Sequence, residues 1–228
     1  VKERGGDVKT LAEARREFAG KPSPWVIGAG MLVLIGVRLA IGDFGWADVI
    51  AAAALLVIYP FGEWAIHVYL LHMKPREVDG RTVQAKAARS HAVHHRDPSD
   101  LTTLLLEPKE LAQLMLIAVP LTITVIAGVW ALVAAGPPVG TLVSAGIAAY
   151  AAVWVYEWTH FLIHTAYVPR TRYYRAVWRN HRLHHFKNEH FWHGITNNFS
   201  DRALGTNPDQ REVPRSATAR TLGAGPTG

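Results

Sequence analysis

Apolar and polar positions along the chain sort into four long apolar runs, separated by short turns and by longer polar stretches. The first run covers residues 24–41, WVIGAGMLVLIGVRLAI in the main, and is long enough to cross a bilayer as a helix. Arg38 falls near its far end, where a long side chain is expected to snorkel to the interface. The turn-rich GDFGW follows, and a second run extends over residues 46–72, with Pro60 and Gly62 expected to kink it. Residues 73–109 are polar and basic. A third run spans 110–135, GPPVG at 136–140 predicts a tight reversal, and a fourth run covers 141–166. From Tyr167 the chain is again polar and basic, ending in the low-complexity SATARTLGAGPTG. The pattern predicts an all-α, polytopic integral membrane protein with four transmembrane helices. Three parts are expected: a cytosolic tail over 1–23, a membrane domain over 24–206, and a disordered tail over 207–228. Within the first, LAEARREFA (residues 11–19) reads either as a short amphipathic helix on the membrane surface or as part of a solvated tail.

Charge orients this arrangement. Of the 24 Lys and Arg residues, six lie in the N-terminal tail, one is Arg38, seven fall in 73–109 and ten follow from Arg170 onward. The short connections near 42–46 and 136–140 carry none. The positive-inside rule therefore predicts that both termini and the middle segment are cytoplasmic. The net charge of +6 then reads as topology and headgroup contact, and no nucleic-acid partner is expected. A polar stretch of about two dozen residues precedes the first apolar run, which is not the layout of a cleaved signal peptide. The absence of cysteine excludes disulfides and thiolate metal sites, so any metal must be held by nitrogen or oxygen.

The histidines change the picture most. All twelve fall in clusters: His67 and His72; His91, His94 and His95; His160 and His164; and His181, His184, His185, His190 and His193. On the expected topology every cluster lies on the cytoplasmic side. Residues three or four apart share a helix face, so His160 and His164 form a ligand pair, while HAVHH and HRLHH each present three imidazoles. His67 and His72 are five apart, roughly 140° around an α-helix. They would serve two different ions, or a single ion if the helix end unwinds. Ten imidazoles are too many for one ion and divide sensibly between two, with positions left open for oxygen or water. His190 is a candidate additional ligand or supporting group, and His193, in FWHG, reads as a packing or surface residue.

Two carboxylates sit inside the spans. Glu63 is four residues before His67, and Glu157 is three before His160. Each either orients a ligand imidazole by accepting its other N–H or points to water at the interface. A metal transporter would place His or carboxylates at mid-span, whereas here the spans are apolar at mid-depth.

The series H-x4-H, H-x2-H-H, H-x3-H, H-x2-H-H resembles the fatty acid hydroxylase and sterol desaturase superfamily, and more narrowly its fatty acid 2-hydroxylase branch. GEWAIHVYLLH is similar to the first box of that branch. HAVHHRDPSDLTTLLLEP is similar to the second, with Pro98, Asp100 and Pro108 in the expected places. YEWTHFLIH resembles the third box. HRLHHFKNEHFWHGITNNFSDRALGT resembles the fourth, including Gly194, Thr196, Asp201, Gly205 and Thr206. The resemblance implies a cytosolic histidine-rich helical cap over a dimetal site, with Asp100 as a further candidate near the metals. It implies two iron ions, since zinc cannot activate dioxygen, with zinc an alternative occupant of the same site in purified material. It also implies hydroxylation of a lipid acyl chain, at the 2-position in the narrower branch. Some members carry a fused cytochrome b5 domain. No stretch of this chain is left for one, so an external donor is expected: cytochrome b5, a ferredoxin or a reductase. A lipid desaturase and a sterol or carotenoid hydroxylase are the alternatives within the superfamily. No catalytic residue beyond the metal ligands is identified.

Overall fold

The computed structural model describes residues 3–132 and 138–223, without the side chains of Ala118 and Val129. The reversal expected at 136–140 and the last stretch of the tail therefore lie partly outside the described residues. The fold is mostly helical. A 3-10 turn at Gly5–Asp7 leads into α1 (Leu11–Ala19), α2 (Pro22–Ile41) and α3 (Trp46–Ala65), and α3 runs on as a π-helical segment, Ile66–Leu71. The hairpin β1 (Arg76–Val78) and β2 (Arg81–Val83) follows, closed by Asp79 and Gly80, both at positive φ. Then come α4 (Lys86–Arg96), α5 (Pro108–Ala131), α6 (Val139–Ile163), α7 (Arg172–Phe186) and the short α8 (Phe199–Ala203). Among the described residues, four stretches are long and apolar enough to cross a membrane: Pro22–Ile41, Trp46–Leu71, Pro108–Gly128 and Val139–Ile163.

The chain divides into two compact units. One comprises residues 17–59 and 106–158. Its buried centre is Ile27, Leu111 and Met115, flanked by Leu114, Val119, Tyr150 and Val153. A second cluster is built from Ala51, Ile126 and Ala145, where small side chains let helices approach closely. Long apolar side chains such as Leu32, Val33, Leu56 and Ile117 point outward, the pattern of a bundle solvated by lipid tails. Phe18 packs edge-on against Trp154 and Trp158.

Arg38 departs from the expectation of snorkelling. It is 3% exposed and forms an ion pair with Asp48 at 2.9 Å, while its Nε also donates to Ser144 Oγ. Further donations to the Gly42 and Asp43 carbonyls, and Phe44 beneath the guanidinium, complete its surroundings. Asp48 lies ten residues on, in the next helix, so the pairing satisfies a cation that would otherwise have to reach for water.

The other unit comprises residues 1–16, 60–105 and 159–228. The first residues of the expected N-terminal tail are built into it. Gly5 N–H donates to the Ser99 carbonyl, Ala166 N–H donates to the Gly5 carbonyl, both at 2.8 Å, and Arg4 pairs with Asp97. A Cβ on Gly5 would lie 2.0 Å from the His164 carbonyl oxygen, so only glycine permits this approach. The far end departs from expectation as well. Within the expected disordered tail, residues 207–223 are described in place, with Val213 and Ala219 buried. Composition alone suggested disorder, but backbone carbonyls of this stretch find partners: Pro208 on Trp192, Gln210 on Lys187, Pro214 on Asn188 and Ala219 on His95.

Candidate metal centre

Ten of the twelve histidines converge within this second unit as two groups of five. His67, His72, His91, His95 and His184 form the first, and His94, His160, His164, His181 and His185 form the second. Within each group the ligand nitrogens all lie within 4.8 Å of one another. The groups share a wall, with the rings of His95 and His185 4.0 Å apart.

Local helix geometry explains the division. On α4, His91 and His95 are one turn apart and enter the first group, while His94, turned away by about 100° from His95, enters the second. On α7, His181 and His185 enter the second group and His184 the first. HAVHH and HRLHH therefore do not each serve one group: each adjacent pair is split between the two. His160 and His164 stay together, as i,i+4 spacing requires.

His67 and His72 share the first group, because the last turn of the second span is not α-helical. Ile66–Leu71 is π-helical, and His72 N–H donates to the His67 carbonyl at 3.1 Å, five residues back. That wider turn brings residues five apart onto one face. Pro60 and Gly62 lie within continuous helix, so the adjustment falls after them, at the ligands.

Hydrogen bonds fix which ring nitrogen faces inward. Nδ1–H donates to the His193 carbonyl from His67 at 2.6 Å, to the Ala219 carbonyl from His95 at 2.8 Å, and to the Phe191 carbonyl from His184 at 2.8 Å. Their Nε2 lone pairs therefore converge on one small volume. Nε2–Nε2 separations are 3.2 Å for His67–His91, His95–His91 and His184–His72, 3.1 Å for His164–His181 and 3.0 Å for His181–His185. Lone pairs held so close repel unless a cation lies between them. At a metal–nitrogen distance of about 2.1 Å, a separation near 3.0–3.2 Å subtends roughly 90–100°, closer to an octahedral than a tetrahedral edge. Both ring nitrogens of His94 are buried without a hydrogen-bond partner. The donor set therefore fits two cations, each offered five nitrogens.

Burial keeps these rings neutral. It holds His91 and His94 well below the ordinary histidine range, with crowding by His95 around the former and by His164 around the latter adding to it. The same causes act on His181, His184 and His185. His95 is lowered to about 4 by burial, opposed by its bond to the Ala219 carbonyl. Neutral imidazole is the form that ligates.

The carboxylates play other parts. Glu63 accepts Ile195 N–H at 2.6 Å, Thr196 N–H at 3.0 Å and Thr196 Oγ1 at 2.6 Å. Asp201 accepts His193 N–H at 2.9 Å and Gly194 N–H at 2.7 Å. Together they pin residues 193–196, whose His193 carbonyl orients His67, so Glu63 supports its ligand through a loop. Glu157 accepts from Ser23 Oγ. Asp100 accepts Thr102 N–H and Oγ1, a local turn. Among the described residues, no carboxylate belongs to either group. His190 is also outside both, exposed beside Glu189. His193 is buried against Trp64, His67 and His184. The carbonyls of Phe191, His193 and Ala219 were invisible in the sequence, since every residue carries one.

Beside the first group is a pocket of about 270 Å³ lined by Trp64, Val68, His72, Glu189, His193, Thr206 and Leu222, among others. His72 is the one ligand of its group that is not fully buried.

The sequence profile of the fatty acid hydroxylase family matches residues 52–206. Among solved structures, full-length Scs7p, of which only the hydroxylase domain is visible, is similar in fold. The TM-score is 0.62 at 22% identity, over 85% of this chain and 68% of that one. No curated protein matches the chain.

Proposed function

The chain belongs to the fatty acid hydroxylase family, and from that premise we propose that it hydroxylates a lipid acyl chain at the 2-position, using dioxygen and electrons from a separate donor. The observation that carries this reading is the pair of five-histidine groups, with inward Nε2 atoms fixed by backbone carbonyls. In this reading His67, His72, His91, His95 and His184 hold one iron ion, and His94, His160, His164, His181 and His185 hold the other. Bound there, iron supplies the oxygen activation that an unactivated C–H bond demands, and zinc in the same donors does not.

The protein's own contribution is placement. Two carboxylates and three carbonyls orient the donors, which lowers the cost of assembling the centre. The pocket at His72 receives the reacting end of the acyl chain, with Trp64, Val68 and Leu222 as apolar walls that exclude water. The lipid comes from the membrane that the four apolar helices are built to cross. The distribution of basic residues supports a cytoplasmic centre.

The test is mass spectrometry of total lipids from cells making the protein, beside cells making the His184→Ala, His185→Ala variant, in a host that supplies iron and a working reductase. Acyl chains that gain one oxygen at the second carbon, only with the intact protein, are expected. Loss of two hydrogens instead would replace hydroxylation with desaturation. An unchanged acyl pool would remove the fatty acyl substrate.

A further inference from the structure

The family profile ends at residue 206, yet part of the metal centre comes from beyond it. After α8 the chain returns to α7 and α4. Asn188 Nδ2 donates to the Pro214 carbonyl at 3.2 Å, and Ser216 N–H donates to the Lys187 carbonyl at 2.8 Å. Thr218 Oγ1 donates to Glu189. Ala219, 4% exposed, then offers its carbonyl to His95 Nδ1 at 2.8 Å. Arg220 closes the loop. Its Nε donates to the His95 carbonyl at 2.9 Å, its Nη2 donates to the Arg96 carbonyl, and its guanidinium lies over the Phe186 ring. Those two carbonyls lie in the last turn of α4, where a cation meets the negative end of the helix. Leu222 goes on to line the pocket beside His72.

We propose that residues 214–222 form a strap belonging to the metal centre: the Ala219 carbonyl holds His95 with Nε2 turned inward, and Arg220 holds that carbonyl in place. Arg220 is a positioning residue, acting through His95. The strap bears on one ion only, because among the ten histidines its hydrogen bonds reach a single ring, in the first group. The inference rests on the reading of the histidine groups as a metal centre.

The experiment compares the full chain with Arg220→Ala, Arg220→Lys and a chain ending after Arg215, all in detergent and loaded with zinc. Ions per chain and the rate of release to a chelator are measured. Arg220 is exposed, so its replacement by alanine leaves the fold intact. It is expected to release one of two ions about 10–100-fold faster, the size typical of lost support to a metal-ligating histidine, and to leave the other unchanged. Arg220→Lys, which keeps the charge and one donor, recovers part of the difference, and the truncated chain loses that same ion. A merely structural strap would lower the melting temperature without separating the two release rates. Two ions leaving Arg220→Ala at the rates of the full chain, or both accelerated alike, would overturn the proposal whatever the truncated chain does. A full chain that binds no zinc would instead overturn the metal-centre reading on which it rests.

Discussion

Removing Glu63 should cost more than removing its charge. Its carboxylate is buried in the second apolar stretch and accepts two backbone N–H groups, from Ile195 and Thr196, on one oxygen. Glu63→Ala leaves both without an acceptor, at about 1–3 kcal/mol each, so about 2–6 kcal/mol together. Thr196 Oγ1 loses its acceptor as well, but a hydroxyl rotates. Glu63→Gln is different. The amide oxygen takes the place of Oε1 and keeps both N–H bonds, while the NH2 group faces Thr196 Oγ1, which turns to accept. That variant should lose no more than about 1 kcal/mol, the net worth of one hydrogen bond. The assay is thermal unfolding in detergent, followed by the fluorescence of the eight tryptophans. By the scaling for chains of this size, Glu63→Ala should melt about 10 °C lower, with Glu63→Gln within a few degrees of the parent. The loosened loop also carries the His193 carbonyl that orients His67, so zinc should leave the first group faster in the alanine variant. Equal melting temperatures for the two variants would refute the reasoning, because it rests on acceptor geometry that glutamine preserves and alanine deletes.

Other outcomes follow from the same structure. His184→Ala should release the ion of the first group and His185→Ala that of the second, so each halves the metal content by elemental analysis. The metal-free protein should lose stability as pH falls from about 6.5 toward about 4. Burial depresses His95 to about 4, so the unfolded chain binds more protons in that window, and melting curves across it check the sign. Arg38→Ala, which takes the ion-pair partner from half-buried Asp48 but leaves its bonds from Ser144 and Gly45, should cost about 1–3 kcal/mol, and the double change Arg38→Met, Asp48→Leu should recover part of it, measured by unfolding in detergent.

Much of the centre was legible because helical spacing is written in the chain. His160 and His164, or His91 and His95, are one turn apart in any α-helix, and sequence order alone puts all four boxes in the polar segments or at the ends of apolar runs. The spacing of His67 and His72 was legible only as a conflict. Five residues do not share an α-helical face, and nothing in IHVYLL announces the π-turn that resolves it. The split of His94 from His95, and of His184 from His185, depends on where neighbouring helices lie. Arg38 was misplaced because pairing with Asp48 is a tertiary fact, and a lone arginine at a span end looks the same whether it reaches for water or for a carboxylate. The strap was hidden for a different reason. SATARTLG contributes one backbone carbonyl, one backbone N–H, a threonine hydroxyl and one arginine, and low complexity conceals what such a stretch can do.

The central claim is that this membrane protein inserts an oxygen atom from dioxygen into a lipid acyl chain at its histidine centre. Cells making the intact protein, grown under isotopically heavy dioxygen in ordinary water, test it most directly. The account predicts hydroxylated acyl chains carrying the heavy isotope, absent when His184 and His185 are both alanine. Hydroxylated chains carrying oxygen from water, or labelled chains persisting in the double variant, would contradict it.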